Sequence, residues 1–201
     1  MKFLNYNFNI FKIVRKMGFI FHKTELEGVI VIEPRVFGDS RGFFLETYKS
    51  SEFVANGINI NFFQDNHSKS TKDVIRGLHF QHFPKPQAKL VRCVCGKIFD
   101  VAVDIRPDSK NFGKWFGLEL CEENKKMLYI PEGFAHGFSV LSDEAEVLYK
   151  ASNEYAPECD AGIRWNDEEL NINWQVKNPL VSEKDKILPT FNECKKELIR
   201  G

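Results

Sequence analysis

The sequence predicts an all-β sandwich or barrel with a few short peripheral helices, and three observations carry that prediction. Short runs rich in Val, Ile, Phe and Tyr recur along the chain, turn residues separate them, and helical periodicity is scarce. With 201 residues the chain fits one domain able to bury a sizeable core. No internal repeat, low-complexity stretch or linker divides it, so the domain is expected to run over residues 18–201.

Residues 1–17 stand apart as an N-terminal extension that the fold is not expected to need. Asn5, Asn7, Asn9 and Lys12 interrupt the apolar core of about 7–15 residues that a signal peptide requires. Nothing approaches the ~20 apolar residues of a membrane span, so no membrane partner is expected, and Met17 is a second candidate start.

From Gly28 onward the elements follow in order. Residues 29–33 form the first strand. Residues 42–48 alternate Phe43, Leu45 and Thr47 against Phe44, Glu46 and Tyr48, a strand apolar on both faces and therefore expected to be covered on both. Residues 50–56 ahead of Gly57 read as a short helix with a serine placed to cap it. Strands follow at 61–67, 74–81 and 88–95. In the last, Lys89, Val91, Cys93 and Cys95 share a face, which puts Lys89 either in apolar company or at a strand end reaching for water. In 97–105, Phe99, Val101, Val103 and Ile105 oppose Asp100 and Asp104, which are either solvated or orient a histidine. Strands at 114–120, 126–130 and 135–141 precede 145–151, where Ala145, Val147 and Tyr149 face inward; the Tyr149 hydroxyl is then a satisfied core group or a functional one. Gly38-Asp39, Gly96, Pro107-Asp108, residues 111–113 and Ser142-Asp143 supply turns. The polar, Pro-broken tail after Trp174 is expected to wrap the barrel and end in a short helix near 191–199.

Two stretches concentrate the chemistry. VIRGLHFQHFPKPQAK (residues 74–89) sets Arg76, His79 and Lys89 among apolar neighbours, and YIPEGFAHGF (residues 129–138) adds His136. Arg76 and His79 have opposite parity on an ideal strand, so both enter one pocket only across a bulge, for which the intervening Gly77 is suited. A base, two cations and a second imidazole against apolar walls suggest a pocket for an anionic substrate whose chemistry is proton transfer.

Composition removes other classes. Lysine plus arginine and aspartate plus glutamate number 28 each, with no basic block, which argues against a nucleic-acid partner. Five cysteines, an odd count without a CxxC pair, fit neither a disulfide framework nor a zinc ribbon and point to a reducing cytoplasm.

Several longer motifs in fixed order are similar to those of a known family. Over residues 18–189 the chain resembles the dTDP-4-dehydrorhamnose 3,5-epimerases, through VFGDSRGFFLETY (36–48), FQDNHSKS (63–70), IRGLHFQ (75–81), KLVRCVCGKIFDVAVDIR (89–106), FGKW (112–115), IPEGFAHGFSVLS (130–142), IRWND (163–167) and SEKD (182–185). The resemblance implies a cupin-like jelly roll, a homodimer, no cofactor, and a dTDP-sugar substrate with a ketone at C4. Position by position it implies His79 as proton-abstracting base, Asp185 as its carboxylate, Tyr149 as proton donor and Lys89 as the cation near the C4 oxygen. It implies substrate contacts at Arg41, Glu46, Gln64, Asp65, Asn66, Arg76, His136 and Lys184, and an aromatic at Tyr155 that stacks on thymine. Asp160 is also implied as a substrate contact, shortened because it stands where the family usually has a glutamate; Ala88 for glycine and Gln175 for proline are milder departures. The strand bearing Arg41 and Glu46 is implied to cross to a partner subunit and serve its site.

The implied chemistry suits these side chains. Hydrogens on C3 and C5 are both α to the ketone, so removing either leaves an enolate whose charge an ammonium stabilises. A histidine oriented by a carboxylate is a suitable base near neutral pH. Three competing functions stand beside this one: a relative that inverts one carbon or uses another nucleotide sugar, a metal-dependent cupin, and a non-catalytic sugar binder. Against the metal, His79 and His82 are spaced HxxH rather than HxH, and no acid follows before Lys89.

Overall fold

The computed structural model describes residues 18–198, so the expectations for residues 1–17 and for the end of the last helix at Ile199 lie outside the described residues. In chain order the strands are β1 (Phe19–Lys23), β2 (Ile30–Pro34), β3 (Val36–Asp39), β4 (Gly42–Leu45), β5 (Gln64–Thr71), β6 (Val74–Gln81) and β7 (Lys89–Cys95). They continue with β8 (Lys97–Asp104), β9 (Trp115–Cys121), β10 (Met127–Ile130), β11 (Phe134–Val140), β12 (Glu144–Ala151), β13 (Asp160–Gly162) and β14 (Leu180–Val181). Three short helices, α1 (Ser50–Ala55), α2 (Glu183–Lys186) and α3 (Phe191–Leu198), lie at the periphery.

Two sheets form a sandwich. The first has the order β1-β2-β10-β7-β12-β5, and the second β13-β6-β11-β8-β9 with β14 joined to β6 in parallel. β3 and β4 make a separate hairpin. Strand alternation explains three apolar layers. Val91 and Cys93 of β7, Ile98 and Ala102 of β8, Phe134 and Val140 of β11 and Val147 of β12 fill the space between the sheets. Phe99, Val101, Val103 and Ile105, the row expected on 97–105, lie on the outer face of the second sheet beneath Ile163, Leu170, Trp174 and Phe191 of the tail. Ile32, Leu90, Met127 and Tyr129 cover the outer face of the first sheet with Phe53 of α1 and Ile58. Each Val, Leu, Ile, Met or Phe side chain among them, fully buried, stabilises the fold by about 1.5–3 kcal/mol.

β6 occupies the expected residues, and β7 to β12 begin and end within one residue of expectation. Four expectations are corrected. β1 lies outside the expected strands; among the described residues it pairs with β2 at the sheet edge, and its apolar run of Phe19, Ile20 and Phe21, with Ile20 exposed, is too short to show an alternation. The strand expected at 61–67 is displaced to Gln64–Thr71, because its inward residues Gln64, Asn66, Ser68 and Ser70 are polar and give no apolar alternation to set the boundary. The strand expected at 42–48 ends at Leu45 and folds back on β3 across Ser40 and Arg41, with Gly42 at φ +128° closing the turn. The N-cap of α1 is Lys49 without a side-chain capping bond, and Ser50 is the first helical residue. The tail behaves as expected, covering the second sheet and ending in α3, where Phe191 and Cys194 are buried.

Candidate active site

Between the sheets opens a cleft of about 750 Å³. The first sheet contributes Gln64, Asn66 and Ser68 of β5, Lys89 of β7 and Tyr149 of β12; the second contributes Arg76, His79 and Gln81 of β6 and His136 and Phe138 of β11.

A bulge brings two of these residues to one side. His79 lies opposite His136 and Arg76 opposite Phe138, so β6 takes three steps where β11 takes two. The irregularity falls at Gly77, with φ +125°, where a Cβ would stand 2.5 Å from the Gly137 Cα. Arg76 and His79 consequently both line the cleft despite their opposite parity.

Asp185 reaches His79 from α2. Ser182 caps that helix by accepting the Asp185 N–H at 3.1 Å. One carboxylate oxygen, Oδ1, lies 3.2 Å from His79 Nε2, and Oδ2 accepts the Gly77 N–H at 3.2 Å. Burial raises the pKa of this carboxyl, but the bonds from His79, Gly77 and Ser182 outweigh it and hold it below the usual carboxylate value. Asp185 therefore remains an anion beside the imidazole.

A second pair lies on the neighbouring strands. His136 Nε2 is 2.8 Å from Asp100 Oδ1, and both residues are buried. Asp100 thus orients a histidine, one of the two readings left open for it. Asp104 is equally buried and binds Arg106 Nη2 at 2.6 Å, so neither aspartate is solvated.

Lys89 does not reach for water; it is only 7 % exposed, and its Nζ donates to the His79 carbonyl at 3.4 Å. Burial pulls its pKa from 10.5 down to about 8, against the opposing pull of Asp100 and Asp160. Tyr149 stands across from Asn66 and Val91 in the first sheet, and burial pushes its phenol up while Arg76 works the other way.

At the rim, the Tyr155 hydroxyl donates to Asp160 Oδ2 at 3.1 Å, and Lys184 Nζ donates to the same oxygen. Gln64 Oε1 accepts the Tyr155 N–H at 2.7 Å. Three anticipated residues are not in this cleft. Asp65 occupies the opposite face of β5 and pairs with Lys150 at 2.8 Å. Arg41 pairs with Asp39 at 2.6 Å in the exposed hairpin turn, and Glu46 follows β4 with a buried Oε2 that has no hydrogen-bond partner.

Residues not singled out also line or brace the site. Gln81 Oε1 accepts the Ala156 N–H at 2.9 Å, and Gln87 Nε2 donates to the Asn153 carbonyl at 2.8 Å. Ser182 could have been found from Ser-x-x-Asp, a helix-start signal at residues 182–185. Ser68 shares the parity of Gln64 and Asn66, the only signal it offers.

Comparison with known proteins agrees with this geometry. The family described as dTDP-4-dehydrorhamnose 3,5-epimerase matches residues 23–193. The chain is similar to the dTDP-4-dehydrorhamnose 3,5-epimerase of Shigella flexneri, 58% identical over 164 residues, 81% of this chain and 91% of that one. It is 56% identical to the Escherichia coli K12 enzyme of the same name over 173 residues, 85% of this chain and 94% of that one. Among solved structures, a dTDP-6-deoxy-D-glucose-3,5-epimerase from Legionella pneumophila in complex with dTDP-4-keto-L-rhamnose superposes with a TM-score of 0.86 at 42% identity, over 90% of this chain and 96% of that one. A cupin-like sandwich with this cleft, matched along nearly its whole described length, belongs to the dTDP-4-dehydrorhamnose 3,5-epimerase family.

Proposed function

We propose that this enzyme inverts C3 and C5 of dTDP-4-dehydro-6-deoxy-D-glucose to give dTDP-4-dehydro-L-rhamnose, a step of deoxysugar biosynthesis. The observation that carries this reading is the placement of base and phenol on opposing walls: His79 on the second sheet, Tyr149 on the first. A hexose lying between them presents one face to each, as inversion demands.

His79, held through Nε2 by Asp185, leaves its other ring nitrogen to remove the proton from C3 or C5. Asp185 then stabilises the imidazolium. Charge develops on the C4 oxygen, and the buried Lys89 is an effective partner for it, because little water reaches the ammonium to screen the interaction. Tyr149 returns a proton to the opposite face. Arg76, His136, Gln64 and Asn66 orient the sugar and diphosphate, while Tyr155 and Lys184 hold the nucleotide end at the rim. Among the described residues no group of three or more His, Cys, Asp or Glu is placed to hold a metal ion.

Incubation with the substrate in heavy water tests the reading by mass spectrometry and NMR. Deuterium at both C3 and C5 of an inverted product is expected. Deuterium at a single carbon would reassign the protein to one-carbon epimerisation, and none at all would make it a binder.

We also infer a homodimer in which Arg41 and Glu46 serve the neighbour's cleft. Phe43 and Phe44 of the hairpin are 61% and 58% exposed, and neither Arg41 nor Glu46 lines the cleft of its own chain. An Arg41→Ala protein mixed with a His79→Asn protein should recover one working site per hybrid dimer; confirmed hybrids that stay inactive exclude the shared site. The five free cysteines support a reducing cytoplasm, and among the described residues no helix is long and apolar enough to cross a membrane.

A further inference from the structure

The rim cluster around Asp160 carries an inference that rests on the proposed nucleotide-sugar reading and deepens it. Asp160 begins β13, whose register fixes it opposite Gln81 of β6, and its side chain is only 15% exposed. The two donors that converge on its Oδ2 are far more exposed: Tyr155 at 53% and the Lys184 side chain at 58%. A long ammonium side chain and an aromatic in water sample many rotamers, and ordering them on binding costs free energy. A carboxylate on a rigid strand removes that cost in advance. The Tyr155 backbone is fixed independently, by its N–H bond to Gln64.

We propose that Asp160 is a positioning residue that latches Tyr155 and Lys184 together as a preformed clamp for the nucleotide diphosphate, and does not itself touch the substrate. Charge supports this assignment. A bare carboxylate beside a diphosphate is repulsive, whereas one neutralised by Lys184 is tolerated. Lys184 has three N–H donors, so one given to Asp160 leaves two for phosphate oxygens. The clamp also borders the chemistry, since Lys184 and Asp185 are consecutive in α2 and Asp185 holds His79.

The charge balance makes the test discriminating. Asp160→Asn adds one net positive charge at an anion site, so electrostatics alone would tighten binding of dTDP; loss of the latch weakens it. Calorimetry with dTDP should show Kd rising roughly tenfold, the loss of one charge-assisted hydrogen bond network. KM should rise in step while kcat falls much less, and Asp160→Glu should restore part of the affinity. In a Tyr155→Phe/Lys184→Met background, Asp160→Asn should add less than twofold. Unchanged or tighter dTDP binding by Asp160→Asn overturns the latch. So does an undiminished tenfold effect in the double-variant background, which would make the carboxylate a direct substrate contact. Wild-type protein unable to bind dTDP would overturn the nucleotide-sugar reading and the latch with it; normal wild-type binding beside an unaffected Asp160→Asn overturns the latch alone.

Discussion

His79 with Asp185 and His136 with Asp100 are the same chemical pair, set opposite each other in the β6–β11 register, yet their surroundings differ. The His79 side chain is 30% exposed and opens on the cleft, and its carboxylate comes from the tail, receives the Gly77 N–H and stays anionic. The His136 side chain is 7% exposed, and its carboxylate comes from the next strand of the same sheet. Both imidazoles line the cleft beside a carboxylate, but the first is the more open to a substrate arriving from solvent. The second is built to hold an imidazole in one orientation.

Replacing the bases should separate the pairs most sharply. His79→Asn is expected to lower deuterium incorporation at C3 and C5 together by about 10³-fold or more, with the circular dichroism of the fold retained. Residual exchange above a few per cent at either carbon would hand the base role to another group, His136 being the obvious heir.

Lys89 donates to the His79 carbonyl and feels the charge of Asp100, and so bears on both pairs. Lys89→Met should reduce kcat/KM by about 10²–10³-fold through loss of enolate stabilisation. Its effect on stability runs the other way. The drop from 10.5 to about 8 corresponds to roughly 3 kcal/mol of unfavourable burial of the ammonium at neutral pH. Between these values the Lys89 site holds more protons in the unfolded chain than in the folded one, so its own contribution to stability should become more favourable as pH climbs from about 8 towards 10.5, against the opposite trend of the buried Cys93, Cys194 and Tyr129, whose raised pKa values favour lower pH. Urea unfolding across that window should show wild type gaining stability relative to Lys89→Met; parallel curves would mean that the ammonium is hydrated.

Tyr149→Phe keeps the base and the enolate, so it should cut inversion by about 10²-fold while solvent exchange persists through return to the same face. Equal loss of both would remove Tyr149 as donor. The smallest expected difference lies between the two carboxylates. Asp185→Asn should cost about 10²-fold in kcat, and Asp100→Asn about tenfold, because only the former acts on the group that moves the proton. Asp185, held below 3.8, contributes stability that is present above that value and lost as pH falls through its lower folded value; Asp185→Asn should lack this acid loss. Equal rate losses for the two variants would mean that both pairs take part in proton transfer.

How far the site could be read ahead of the structure depends on where each residue's partners lie. Period-two alternation placed Lys89 with Val91 and Tyr149 with Val147 on inward faces, and the glycine at position 77 announced the bulge that reconciles Arg76 with His79. These are local properties, expressed within a strand and its immediate neighbours. Motif resemblance supplied the pairing of His79 with Asp185, which no spacing or periodicity contains, since the carboxylate arrives from a four-residue helix after the whole sandwich is complete.

Chain order and side-chain pattern by themselves determined the all-β class, the strands β6 to β12 and their inward rows, because sheets bury alternate residues and each row must match its neighbour. They could not determine β1, β3, β13 or β14, whose runs are only two to five residues long, or the start of β5, where a polar cleft face removes the apolar alternation. Tertiary structure alone decided that Lys89 is dry, that Asp100 rather than Asp104 orients His136, and that Asp65 faces away from Gln64 and Asn66 into a pair with Lys150. Those outcomes depend on the distance between two facing sheets and on which segment covers their ends, and a one-dimensional pattern carries neither.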